Sequence, residues 1–197
     1  VTCSWPEDYL ETLNWQWEKV LIPYWKEEVK FCEAHGIKKI AFEMHPGFCV
    51  YNTSSVLKIR DAVGDMLGAN VDPSHLFWQG MDPVEVIREL GKYNAIYHFH
   101  AKDTKIDGHN TAVNGVLDVG HYGNVLDRSW VFRTVGYGHG KEDWNSIIST
   151  LKAVGYDGVI SIEHEDSLMS AKEGLEKAIK FLKEVIIYEN AGEMWWA

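Results

Sequence analysis

Residues 94–102 read Asn-Ala-Ile-Tyr-His-Phe-His-Ala-Lys. Period-two alternation marks this run as a strand, with His98 and His100 on one side and Phe99 on the other. Three more short runs read as strands: Ile37 to Met44, Gly68 to Asp72 and Val159 to Glu163. Between and after them the apolar spacing lengthens to that of helices. Asn52 to Met66 places Val56, Ile59 and Val63 on one face, with Asn52, Thr53 or Ser54 as its cap. Pro83 to Gly91 opens with a proline, which suits a helix start. Helices are also expected over Glu142 to Val154 and Ala171 to Tyr188. One more, Glu7 to Glu33, precedes the first strand, with Pro23 expected to kink or split it. Asp107 to Gly140 shows no period and is expected to be an ordered functional loop.

Four strand–helix units in alternation imply a parallel sheet with right-handed crossovers. A complete eight-unit barrel takes about 250 residues, and this chain has 197. The expected fold is therefore α/β, a parallel (β/α) half-barrel of TIM type within one domain spanning 1–197. A small open α/β sheet is the alternative, and the residues at the strand ends favour the barrel.

Composition excludes several classes. With 46% hydrophobic residues and nine Trp the chain can build a sizeable core. No apolar run reaches the roughly 20 residues of a membrane span. Nineteen basic against 29 acidic residues, net charge −10, argue against a nucleic-acid footprint. Cys3, Cys32 and Cys49 are too few, and odd in number, for a disulfide framework. With no secretory leader pattern, this points to a reducing, cytoplasmic setting. The missing initiator Met, and Val1 to Trp5 reading like the end of a strand, point to a fragment.

Three strands end in a carboxylate and one in a histidine: Glu43, Asp72, His100 and Glu163. The carboxyl ends of parallel strands are where α/β folds place their chemistry. Alternation puts Glu43 beside His45, Asn70 beside Asp72, His98 beside His100, and Ser161 beside Glu163 and Glu165 on one side of their strands. Three carboxylates brought together need a cation. Oxygen-rich ligands with one imidazole suit Mn²⁺, Mg²⁺ or Co²⁺, and Zn²⁺ also fits. Each residue alone has a plainer reading as a cap, a surface charge or a satisfied core histidine; the set of four does not.

Glu-Met-His-Pro (43–46), Asn-Val-Asp-Pro-Ser-His (70–75), His-Phe-His-Ala-Lys-Asp (98–103), Phe-Arg-Thr-Val-Gly-Tyr-Gly (132–138) and Ser-Ile-Glu-His-Glu-Asp (161–166) together resemble the sugar phosphate isomerase/epimerase family of xylose isomerase-like TIM barrels. The resemblance runs from about Glu27 to Glu184 and matches strands 5–8 of the barrel. It implies Glu43, Asp72, His100 and Glu163 as ligands of one divalent metal ion, with Glu43 and Glu163 also the catalytic acid and base. It implies His75 and Arg133 as substrate contacts. Lys102 sits where it meets a substrate oxygen or phosphate, or else reaches out to solvent, and Arg133 has the alternative of pinning the long loop. His45 and Asn52 are further pocket candidates. His164 and Glu165 read as a polar strand exit, and His109, His121 and His139 as solvated loop residues.

The implied activity is metal-dependent isomerisation or epimerisation of a sugar or polyol, by α-proton abstraction to a cis-enediolate. An inosose dehydratase-type elimination is a close variant, and a non-catalytic metal- or carbohydrate-binding half-barrel is the alternative outside enzymes. An endonuclease IV-like reading is disfavoured by the charge. The expected partners are a small-molecule sugar or polyol and a second copy of the chain, a two-fold dimer covering the open side of the half-barrel, with neither nucleic acid nor membrane.

Overall fold

A computed structural model describes residues 8–117 and 120–196. The strand end expected over residues 1–5, and Cys3 with it, lie outside the described residues. The chain opens with α1 (Tyr9–Trp15), a π-helical turn (Gln16–Leu21) and α2 (Ile22–Ala34). Pro23 explains that order. It has no N–H for the i−4 carbonyl and its ring crowds that carbonyl. The helix widens just before it, so Pro23 falls in the first turn of α2, where a missing donor costs little. The helix is thus neither split nor ended. It stops at Gly36, whose φ of +80° lets Ile37 N donate back to Cys32 O at 3.0 Å.

The strand–helix alternation then follows: β1 (Ile40–Glu43), α3 (Thr53–Val63), β2 (Leu67–Val71), α4 (Pro73–Phe77), α5 (Pro83–Gly91) and β3 (Ile96–Ala101). Asn52 caps α3 by accepting from Ser55 N at 2.9 Å, and Ser55 Oγ accepts from Asn52 N at 3.0 Å. Asp72 and Asp82 cap α4 and α5 in the same way, each 2.8 Å from the second amide of its helix. After β3 come β4 (Asp103–Ile106), α6 (Gly108–Asn114), a short 3₁₀ turn (Val125–Asp127), β5 (Trp130–Arg133), α7 (Lys141–Ala153), β6 (Ile160–Ile162) and α8 (Ala171–Val185).

The main sheet has the order β1-β2-β3-β6, parallel throughout. Its register sets Glu43 opposite Asn70, Asn70 opposite His98 and His100 opposite Ser161. Four parallel strands with their helices make the TIM-barrel-like half-barrel expected. Its outer face is the core, where Phe99, Val56, Ile59, Ile87, Leu90, Trp144 and Leu182 are buried together. Among the described residues β1 pairs only with β2, and β6 only with β3.

One expectation is corrected. The stretch 107–140 is not simply a loop: it carries α6 and β5, and β5 pairs antiparallel with β4, Asp103 opposite Arg133 and Ile106 opposite Trp130. No residue of α6 is buried, so no apolar face announces it. β5 is four residues long, too short for its alternation to stand out. Its Trp130 and Phe132 join Trp78 in a second, smaller apolar cluster, with the Trp78 and Trp130 rings stacked at 4.6 Å.

Candidate metal centre and its cleft

The inner side of the sheet carries the chemistry. Glu43 ends β1, Asp72 follows β2, His100 lies on β3 and Glu163 follows β6. One ligand atom from each of the four lies within 4.8 Å of all the others. Asp72 is enclosed, while the other three are partly open to solvent. Extra residues hold them in place. His75, on α4, points back so that its Nε2 is 3.0 Å from Glu43 Oε1. Asn70 Nδ2 lies 3.1 Å from Nε2 of His100, and His100 Nδ1 is 2.9 Å from Glu163 Oε2.

Lys102, for which the sequence left cleft and solvent both open, turns inward. Its side chain is 2% exposed, so it does not reach out to solvent. Its Nζ lies 3.3 Å from Asp72 Oδ2, 3.1 Å from Glu163 Oε1 and 2.9 Å from Glu165 Oε2. The Phe132 ring covers it, with the centroid 4.5 Å from Nζ. Burial works against the ammonium, but the carboxylates of Asp72, Glu165 and Glu163 outweigh it and raise its pKa.

The same fields act on the ligands. A hydrogen bond from His75 holds the Glu43 carboxyl below its usual range against burial and the Asp72 charge. Burial pushes Asp72 up, yet the His100 imidazole, Lys102 and His75 bring it below the ordinary value. His100 is raised, chiefly by Asp72 with help from Glu43 and Glu163. His98, two residues earlier on β3, has its Nε2 2.7 Å from Ser161 Oγ, and burial lowers its pKa.

The donor set fits a divalent cation. Asp72 Oδ2 and Glu163 Oε2 are buried with no well-aligned hydrogen-bond donor. The positive groups nearest them are Lys102 Nζ, 3.3 Å from Asp72 Oδ2, and His100 Nδ1, 2.9 Å from Glu163 Oε2, too little to offset this many carboxylates. Glu43, Asp72, Glu163 and Glu165 set four carboxylates against the single ammonium of Lys102. Three carboxylates and one imidazole are ligands for a hard or borderline metal ion.

Of the four, Glu43 and Glu163 open onto a cleft of about 670 Å³. Glu43, His45, His75, Lys102 and Glu163 line it, together with Phe48, Tyr122, Phe132, His164, Glu165 and Asp166. His45 Nδ1 is bonded to Pro46 O at 2.7 Å, and its ring rests against Phe48 and His75. Arg133, expected to face substrate, is not part of the lining. Its Nε lies 3.0 Å from the buried Asp166 carboxylate, so it pins the hairpin to the β6–α8 loop. Asn52 is used as the cap of α3. Glu165, read from sequence as a strand exit, partners Lys102. His139, read as solvated, donates from Nδ1 to buried Asp103 Oδ1 at 2.8 Å and stacks on Phe77 at 3.5 Å.

Sequence reading missed Asp103, although the alternation on either side of Lys102 carries the signal. Asp103 Oδ2 accepts from the backbone N–H of Gly136, Gly138 and His139 at 3.1, 3.1 and 2.9 Å, and from Trp144 Nε1 at 3.3 Å.

Fold and site together define a class. The model of the xylose isomerase-like TIM barrel family matches residues 4–185, and the chain belongs to that family. Among curated proteins it is 43% identical over 185 residues to the uncharacterized protein YfiH of Bacillus subtilis, covering 94% of this chain and 58% of the relative. It is 28% identical over 167 residues to the uncharacterized protein MJ1311 of Methanocaldococcus jannaschii, covering 81% and 48%. The chain thus spans about half the length of these relatives. Its fold is also that of the probable 3-DHS dehydratase AsbF of Bacillus anthracis (TM-score 0.59, 22% identity, 84% of this chain and 57% of that one). It resembles as well the D-psicose 3-epimerase of Clostridium cellulolyticum H10 (TM-score 0.54, 14% identity, 84% and 55%).

Proposed function

We propose that this chain carries the metal and proton-transfer site of a sugar or sugar phosphate isomerase or epimerase. The observation that supports the reading most is the convergence of Glu43, Asp72, His100 and Glu163 within 4.8 Å at the carboxyl ends of four parallel strands. A divalent ion (Mn²⁺, Mg²⁺ or Co²⁺, with Zn²⁺ also fitting) would offset these carboxylates and polarise a substrate carbonyl.

The proton steps belong to the chain's own residues. Glu43 and Glu163 extend from β1 and β6, the two outer strands of the sheet. The hydrogen bond from His75 favours the ionised form of Glu43, the form a base requires. One carboxylate removes the proton on the carbon beside the carbonyl; the C–H electron pair becomes the C=C bond of an enediolate as the carbonyl π pair moves onto oxygen. Return of a proton to the opposite face gives the epimer; return to the former carbonyl carbon, with loss of the hydroxyl proton on the neighbouring carbon's oxygen, gives the isomer. Departure of a β-hydroxyl as water, protonated by the second carboxyl, after the same abstraction gives a dehydratase, and the fold likeness to both an epimerase and a probable dehydratase supports a common first step. Lys102 and His75 hold the carboxylates in place.

The test is exchange of substrate C–H with solvent deuterium, followed by NMR on a panel of ketoses. The Mn²⁺-loaded chain is expected to exchange one position, and Glu163→Gln to lose at least about 100-fold in rate. Metal uptake without exchange on any ketose would mark a binding half-barrel and reject the enzyme reading. We also propose that two copies associate across the open side of the half-barrel, where the outer edges of β1 and β6 have no partner strand among the described residues.

A further inference from the structure

We propose that the substrate of this cleft is an uncharged polyhydroxy carbonyl compound and that its phosphate ester is rejected. This rests on the isomerase or epimerase reading and settles, within it, the substrate's charge.

TIM barrels commonly hold a phosphate on backbone N–H groups of the loops after their last two strands. In this chain those loops follow β3 and β6, and its own carboxylates already occupy their amides. Asp103 takes the N–H groups of Gly136, Gly138 and His139. Asp166 takes those of Thr134 and Leu168, each at 2.8 Å. Both carboxylates are fully enclosed, so a phosphate would have to displace a buried anion from its donors. Fixed internal anions therefore stand where an incoming anion would bind.

The side chains agree with the backbone. Arg133 is spent on Asp166 and does not line the cleft. Lys102 does line it, but already meets oxygens of Asp72, Glu163 and Glu165 within 3.3 Å. Glu43, Glu163 and Glu165 all lie on the wall. A divalent ion would lower this negative charge without reversing it. An incoming dianion is repelled, whereas hydroxyl groups find acceptors in abundance. The rings of Phe48, Tyr122 and Phe132 also line the cleft, apolar surface suited to the C–H face of a sugar.

The experiment is calorimetric titration of the Mn²⁺-loaded chain with D-fructose, D-tagatose, D-fructose 6-phosphate and inorganic phosphate, at fixed ionic strength. A neutral ketose is expected to bind at least tenfold more tightly than the phosphate ester. Glu165→Gln, which removes one wall charge and loosens Lys102, is expected to narrow that gap several-fold. Phosphate ester binding equal to or tighter than the neutral sugar would overturn the charge argument and leave the isomerase reading standing. Binding of none of the four would overturn both. Tight phosphate binding in the parent with no change in Glu165→Gln would show that the amide nests are open to anions, again against the proposal.

Discussion

Lys102 Nζ and Asp72 Oδ2 face each other at 3.3 Å, with both side chains shut off from solvent. Breaking such a pair from one side costs more than the pair itself contributes, because the remaining charge stays buried. Lys102→Met is therefore expected to lower the stability of the metal-free chain by about 3 kcal/mol, read from urea unfolding. Added Mn²⁺ is expected to recover much of that loss, since it supplies positive charge to the same carboxylates. Equal loss with and without metal would argue against a shared site.

Metal removal gives a second readout. A ligand that binds only the folded state at about 100 times its Kd stabilises by about 2.7 kcal/mol. The parent should show a Tm that rises with Mn²⁺ or Co²⁺ and falls on chelation. The double variant Glu43→Gln/Asp72→Asn should show neither, and mass spectrometry should find near one equivalent of metal in the parent alone. An unchanged Tm and no retained metal would reject the four-residue site.

Acid unfolding reports on Asp166. Burial raises its pKa, but the N–H groups of Thr134 and Leu168 and the Arg133 guanidinium outweigh that and hold it below the ordinary carboxylate value. A depressed folded pKa gives stability that is present above the unfolded pKa of about 4 and is lost as pH falls through the folded value. Asp166→Asn should make stability less dependent on pH below about 5, measured by urea unfolding at stepped pH. An identical slope would remove Asp166 from that account.

Gly138 marks a backbone contact that tolerates no side chain. A Cβ there would lie 2.2 Å from Thr104 O and 2.6 Å from Asp103 Oδ1. Gly138→Ala should destabilise by about 2 kcal/mol or more and loosen the packing of His139, visible as a changed imidazole NMR signal. Stability unchanged within a few tenths of a kcal/mol would mean that the loop is not clamped to β4.

Self-association is checked by light scattering across concentration. The dimer proposed for the open side should appear in the low micromolar range, whereas a monomer at all concentrations would remove it.

Much of this architecture was legible in sequence, for a physical reason. Apolar strands and amphipathic helices, such as Ile96 to Ala101 and the face of α8, announce themselves by period, and they position Glu43, Asp72, His100 and Glu163. What stayed hidden depends on contacts far along the chain. The destination of Lys102 is decided by Glu165, 63 residues on. Arg133 is drawn away from the cleft by Asp166, 33 residues on, and no local pattern records that competition. The hairpin of β4 and β5 was hidden by shortness, and α6 by the lack of a buried face.

The exit of β3 has one more consequence. Lys102 points into the cleft among carboxylates, while Asp103, one peptide later, points away into a ring of amide donors. A one-residue slip at this point would exchange the two, turning an anion toward Asp72 and Glu163 and burying an ammonium against N–H groups. Both halves of that exchange are electrostatically forbidden at once. The dipeptide thus works as a polarity key: the chain can be threaded through this corner in a single frame, and the cleft inherits its charge pattern from that frame.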